Sequence, residues 1–173
     1  MPLVLRVPTA DEEEEFLRAH RATSPDVPNF LHYYEEGMPF PRYLEVLAEQ
    51  RRGEHLLPGH VASTFLFAFA GSRITGRVSI RHELNAYLAR VGGHIGYTVV
   101  PEFRRKGVAT EMLRQAIVIA RDELGLERVL LTCDEDNVGS IRTIEKSGGV
   151  FESLVADPGM AKPKRRYWID TAR

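Results

Sequence analysis

The stretch of this chain best equipped for chemistry is HIGYTVVPEFRRKGVATEML, from His94 to Leu113. A strand runs into Pro101, a basic turn of Arg104, Arg105 and Lys106 follows, and Gly107 opens an amphipathic helix. The first N–H groups of a helix lack carbonyl partners, and the helix dipole adds positive potential, so such a start takes up phosphate oxygens. Gly107 lets the backbone come close to a ligand, Ala109 keeps the next turn narrow, and the basic triplet adds charge. No Gly-Lys-Ser/Thr follows a four-residue spacer, which excludes a P-loop, and no G-x-G-x-x-G marks a dinucleotide site. By spacing alone the same stretch also reads as a solvated basic turn.

His94 titrates near neutral pH and is a candidate general base for an amine, directly or through one water; its alternative is a structural histidine paired with backbone. His82 and Asn85, at the end of the preceding strand, either shape an acceptor pocket or close a turn through an Asx contact. Asp134, Glu135 and Asp136 either meet a cationic substrate or form an acidic surface loop. Lys162, Lys164, Arg165 and Arg166 read as a solvated strand entry. Cys133 has no evident basic partner and reads as a buried strand residue, not a nucleophile. Six scattered histidines without an H-x-x-x-H pair, and a single cysteine, give no metal-ligand spacing, so no metal is expected.

These residues need elements to hold them. Leu3 to Val7 reads as a strand, and Thr9 with Glu12 to Glu15 as a helix start. Segment 24–43 is rich in proline and aromatics and reads as irregular, roofing a cleft or forming a satellite core. Tyr43 to Arg52 is helical and stops at Gly53. Ala62 to Ala70 and Ile74 to His82 form a hairpin about Gly71-Ser72-Arg73. Val91 to Val100 is a third strand whose glycines mark a bulge or a close backbone approach. Its alternation puts His94, Gly96 and Thr98 on one face and Ile95, Tyr97 and Val99 on the other. Residues 107–124 are helical, Val129 to Cys133 is a buried strand, Asn137 to Ser147 is helical, and Val150 to Val155 and Arg166 to Ile169 are the last strands. The fold expected is a single mixed α/β domain over 1–173, a twisted mixed sheet with helices on both faces and a right-handed parallel crossover from 91–100 to 129–133.

Arg104-Arg105-Lys106-Gly107-Val108-Ala109 resembles the R/Q-x-x-G-x-G/A signature of the GNAT superfamily of acyl-CoA-dependent N-acetyltransferases. Downstream, Asn137, Ser140, Glu145-Lys146 and Gly148 match the family's N-x-x-S/A…E-K-x-G spacing. The resemblance spans roughly Ala62 to Val155. Arg81-His82-Glu83-Leu84-Asn85, Gly93-His94-Ile95-Gly96-Tyr97 and Arg166-Tyr167-Trp168-Ile169 also look like a subgroup of bacterial acetyltransferases.

The resemblance implies a splayed strand pair holding acyl-CoA, with pantetheine lying in the gap as a pseudo-strand. Backbone groups of Tyr97, Thr98 and Val99 would pair with its amides, and the Val99 N–H would face the thioester oxygen. Arg104, Arg105, Lys106, Gly107, Val108, Ala109 and Thr110 would line the pyrophosphate, and Asn137 and Ser140 the pantetheine arm, Asn137 being equally placed as an ordinary N-cap. Acetyl-CoA would be the cosubstrate, and the amine of a small molecule or peptide the acceptor; a sensor that binds acyl-CoA without turnover is the alternative. The chain departs from the family at Ile144, where a tyrosine acid is common, and at Thr132, where some members carry a glutamate base.

With 23 Lys plus Arg, 24 Asp plus Glu and a formal charge of −1, no global field points to nucleic acid or membrane. The start MPLVLRVPTADEEEE lacks a basic signal-peptide region, and the longest apolar run is far short of a membrane span. One cysteine and no such signal point to a reducing cytoplasm. Oligomeric state, a homodimer included, stays open.

Overall fold

The run Ser63–Ala70 (STFLFAFA) has no polar face, and in the computed structural model, which describes residues 2–172, it is buried on both sides. It is β2, the second of seven strands. β1 (Leu3–Arg6), β2, β3 (Arg73–Arg81) and β4 (Ile95–Val99) form one antiparallel sheet in that order. β5 (Arg128–Asp134), β7 (Lys164–Asp170) and β6 (Val150–Val155) form a second, again antiparallel. The single mixed sheet expected is therefore two antiparallel sheets, because β4 and β5, joined through the crossover, do not pair as a ladder.

Two apolar clusters cover the first sheet. Phe65, Phe67 and Phe69 of β2 face α1 (Glu13–Thr23), α2 (Phe40–Arg52) and segment 24–39, where Phe16, Phe30, Phe40 and Tyr43 fill the space. Leu66, Val78, Ile80 and Ile95 face α3 (Val108–Asp122), whose Leu113, Ala116, Ile117 and Ala120 share the stripe set by helical spacing. Ile144 of α4 (Val138–Lys146) and Tyr167 of β7 complete that second cluster, which ties the two sheets into one domain. The aromatics of segment 24–43 are thus core on the face opposite α3. Thr9 N–H donates to the Glu12 carboxylate at 2.8 Å as the chain enters a short 3₁₀ turn (Ala10–Glu12) ahead of α1.

One strand is shorter than its pattern. Leu88–Gly92 is a turn of π-helix, so the expected strand 91–100 begins at Ile95. Among the described residues, no helix is long and apolar enough to cross a membrane.

Candidate active site

The two sheets meet at one point. Gly93 has φ +67°, and a Cβ there would lie 2.6 Å from the Leu130 carbonyl oxygen, so only glycine lets the backbones approach. Next to it, His94 N–H donates to Leu130 O (2.7 Å) and Leu130 N–H donates to His94 Nδ1 (2.9 Å). Arg81 N–H in turn donates to His94 O at 2.7 Å. His94 therefore joins β3 to β5, its ring supplying an acceptor that a strand ladder would otherwise provide.

Of the two readings of His94, this geometry supports the structural one. An Nδ1 that accepts a hydrogen bond leaves the neutral ring's proton on Nε2, so its one lone pair is already engaged. The side chain is buried, and burial with the Arg81 charge lowers its pKa to about 4. His94 is the splice of the two sheets.

Beyond the splice β4 and β5 separate. Val100 N–H donates to Thr75 O at 2.9 Å, and antiparallel alternation then turns the backbone of Thr98 and Gly96 toward β3. The N–H and C=O groups of Tyr97 and Val99 point the other way, into the gap. Thr98, expected to pair with pantetheine, has its backbone engaged by β3 instead. The side chains of Ile95 and Tyr97 pack together on the α3 face, as their alternation requires.

At the mouth of the gap, Arg105 (φ +59°) and Gly107 (φ +81°) both take left-handed backbone to swing the chain into α3. Glu111 N–H is the first to find a helical carbonyl, Gly107 O at 3.1 Å, so the N–H groups of Val108, Ala109 and Thr110 precede the helix's own acceptors. A Cβ on Gly107 would meet nothing within 4 Å, which leaves the approach open. The basic triplet divides in role. Arg104 is tied down, its Nε donating to Val99 O (3.2 Å) and its Nη1 to Asp26 (2.9 Å). Arg105 and Lys106 hold no carboxylate among the described residues.

On the far side of the gap, Asn137 caps α4, its Oδ1 accepting from Ser140 N–H at 3.1 Å, so its N-cap role is present. Ile144 is buried in the core and Thr132 Oγ1 donates to Val91 O at 2.6 Å, so neither departure from the family pattern faces the gap as acid or base. Tyr97 does. Its hydroxyl is buried, reaches toward Ser140 and Thr143 of α4 and toward Cys133, and finds no hydrogen-bond partner; burial raises its pKa, so it keeps its proton. Sequence reasoning assigned Tyr97 only through its backbone. Cys133 is pushed up to about 11 by burial and is a neutral thiol.

The residues expected at an acceptor pocket stand just behind one. His82 Nε2 is 2.9 Å from Thr64 Oγ1, and Asn85 bridges two backbones, donating to Gly59 O (2.9 Å) and accepting from Leu88 N–H (3.0 Å). Gly59 and Leu88 line a cavity of about 410 Å³ that also exposes Ser63 and Arg81, which the sequence did not single out. The acidic triplet and the basic run largely answer each other: Lys162 pairs with Asp136 at 2.7 Å, and Lys164 with Asp134. A larger open groove, about 850 Å³, lies at the other end of α3 beside Gly125 and Trp168, away from the turn. Among the described residues, no three His, Cys, Asp or Glu side chains are grouped to hold a metal ion.

The sequence model described as "Acetyltransferase (GNAT) domain" matches residues 3–150. The chain is 29% identical over 80 residues to the uncharacterised N-acetyltransferase YnaD of Bacillus subtilis, a match covering 44% of this chain and 43% of that protein's length. It thus spans less than half of that relative. Among solved structures, Mycobacterium smegmatis RimJ in complex with CoA-disulfide superposes with a TM-score of 0.70 at 18% identity, over 97% of this chain and 81% of that one. The microcin C7 self-immunity acetyltransferase MccE, in complex with acetyl-CoA and AMP, gives 0.70 at 17% identity, over 97% and 92%. At these identities the likeness is one of fold.

Proposed function

The chain belongs to the GNAT acetyltransferase family, and from that premise we propose that it transfers the acetyl group of acetyl-CoA to the amine of a small molecule or peptide. The observation that carries this reading is the gap beyond His94. One wall offers the outward N–H and C=O of Tyr97 and the outward N–H of Val99, its mouth is the start of α3, and Tyr97 carries a buried hydroxyl without a hydrogen-bond partner. RimJ and MccE were solved with coenzyme A species, and the residues present here fit such a ligand. Val108, Ala109 and Thr110 N–H groups with Arg105 and Lys106 would hold the pyrophosphate, and the outward backbone of Tyr97 and Val99 the pantetheine amides. When bound, acetyl-CoA supplies an activated acetyl thioester.

Each group of the chain then has a task. Val99 N–H stabilises the negative charge that develops on the thioester oxygen as the neutral amine attacks. The Tyr97 hydroxyl, protonated throughout the neutral range, donates a hydrogen bond toward the departing sulfur. It takes the part that Ile144 cannot. Arg104 fixes the turn, and His94 fixes the apex of the gap. A reducing cytoplasm, in which the lone buried thiol stays a thiol, belongs to the same reading.

A sensor of acyl-CoA without turnover is the competing reading, and the unpartnered Tyr97 hydroxyl speaks for transfer. Thiol release from acetyl-CoA, followed over a panel of small and peptide amines with mass detection of the acetylated product, tests it. Amine-dependent thiol release is expected; tight coenzyme A binding with no release on any amine supports the sensor.

A further inference from the structure

The cavity of about 410 Å³ lies on the face of the first sheet opposite α3, and its lining includes Arg81, Ser63, His32, Tyr33, His60 and Leu88, with no carboxylate among the residues that form it. Arg81 Nη1 donates to the carbonyl oxygens of Gly92 (3.2 Å) and Gly93 (3.0 Å), which fixes the guanidinium; among the described residues its Nε and Nη2 have no partner. Four residues back on the same face of β3, Arg77 is buried and donates to Phe30 O (2.9 Å) and Asn29 O (3.4 Å).

Among the described residues, neither arginine has a carboxylate within ion-pair distance. Arg6, Arg18, Arg42, Arg73 and Arg104, all more exposed than Arg77, each hold an acidic partner. A cation withdrawn from water without a counter-ion is costly, and the free edge of a guanidinium matches the two oxygens of a carboxylate or phosphate. Burial lowers Arg77 only to about 10, so it keeps its charge at neutral pH. The field is felt by His32, which burial and both arginines hold at about 3, so its ring stays neutral.

The cavity also borders the strand where chemistry is proposed. Arg81 is hydrogen-bonded to His94, and Ser79 pairs with Gly96 in the same register. A Cβ on Gly96 would meet nothing within 4 Å, so this face of β4 is open at two residues of strand rise and one strand spacing from the Arg81 position, roughly 8–9 Å.

We propose that this cavity seats an oxyanion of the acceptor: the substrate is a small amine that also bears a carboxylate or phosphate, bound on the free edge of Arg81 with its amine directed along β4. The word acceptor rests on the acetyl-transfer reading; the oxyanion site rests on the cavity alone. A polycationic amine would meet the Arg81 guanidinium there, with the charge of the buried Arg77 nearby, and no acid among the lining residues.

The test uses matched ligands on the full chain. Calorimetry compares N-acetyl-β-alanine with N-acetyl-β-alaninamide, and O-phosphoethanolamine with ethanolamine; thiol release compares β-alanine, longer ω-amino acids and O-phosphoethanolamine with their neutral counterparts. The anionic members are expected to bind and to react at least roughly tenfold better, the size of one charge-assisted contact. The carboxylate and phosphate arms show which oxyanion is preferred. Arg81→Gln is expected to bring the members of each pair together, with Arg81→Lys restoring part of the difference. Should Arg81→Gln fail to fold, Ser63→Asp places a carboxylate directly opposite Arg81 in the strand register and is expected to abolish the preference as well. Equal binding and turnover of charged and neutral members, or a preference that survives both substitutions, overturns the proposal. Anion binding lost in the variants, with no amine ever releasing thiol, supports the site and removes the transfer reading instead.

Discussion

Replacing His94 separates a splice from a base. His94→Ala removes the acceptor for Leu130 N–H, and an unpaired buried N–H costs about 1–3 kcal/mol, to which the lost packing adds. His94→Asn carries an oxygen at the reach of Nδ1 and is expected to recover most of that loss. Stability should also respond to acid. The folded-state pKa is about 4 against an ordinary 6.5, so as pH falls the unfolded chain takes the proton first. The stabilisation is complete above about pH 6.5 and is lost as pH falls through about 4; by about pH 5 some 2 kcal/mol of it is gone. Urea unfolding of the wild type, His94→Ala and His94→Asn at about pH 7.5 and about pH 5 reads both effects. His94→Asn should lack the histidine's share of the acid-induced loss. In turnover, a base would cost His94→Asn on the order of 10²–10⁴ in rate, whereas a splice leaves kcat/KM within a few-fold. A well-folded His94→Asn enzyme with that large a loss and no acid limb in its pH profile would refute the splice.

Tyr97→Phe should lower kcat on the order of tenfold to a hundredfold while leaving coenzyme A affinity nearly unchanged, with the defect shrinking for thioesters of more acidic thiols. The same variant should raise the thiol pKa of bound coenzyme A, read from its ultraviolet thiolate absorbance; an unchanged value in both assays removes Tyr97 from the sulfur. Gly93→Ala places a Cβ 2.6 Å from the Leu130 oxygen on left-handed backbone and should destabilise by roughly 2 kcal/mol or more, seen as a shifted urea midpoint.

The elements were legible where period or punctuation was strong. The α3 stripe, the β2–β3 hairpin and the Pro101-to-Gly107 turn lie where residue spacing puts them, within a residue or two at their ends. The glycines before His94 announced a close approach, and Gly93 against Leu130 is that approach. The π-helical turn at Leu88–Gly92 was not legible, since apolar Leu88 and Val91 fit a strand or a helix equally well. The choice between the two readings of His94 was not legible, because a lone histidine on a strand carries no sign of which ring nitrogen is engaged or by what. Arg81, noted only as part of a subgroup match, was given no role because an arginine looks like surface until the fold shows what it lacks. The Tyr97 side chain was given no part because its sequence position shows only a strand residue, and the buried hydroxyl beside α4 emerges from the fold.

Isothermal calorimetry of acetyl-CoA against the wild type and Gly107→Glu addresses the central claim most directly. The gap and the α3 start should bind acetyl-CoA in the wild type. Glutamate at Gly107 would set a carboxylate among the free N–H groups on backbone at φ +81° and should weaken binding by roughly a hundredfold or more, with circular dichroism showing a folded chain. A folded Gly107→Glu protein that binds acetyl-CoA as the wild type does would contradict the account.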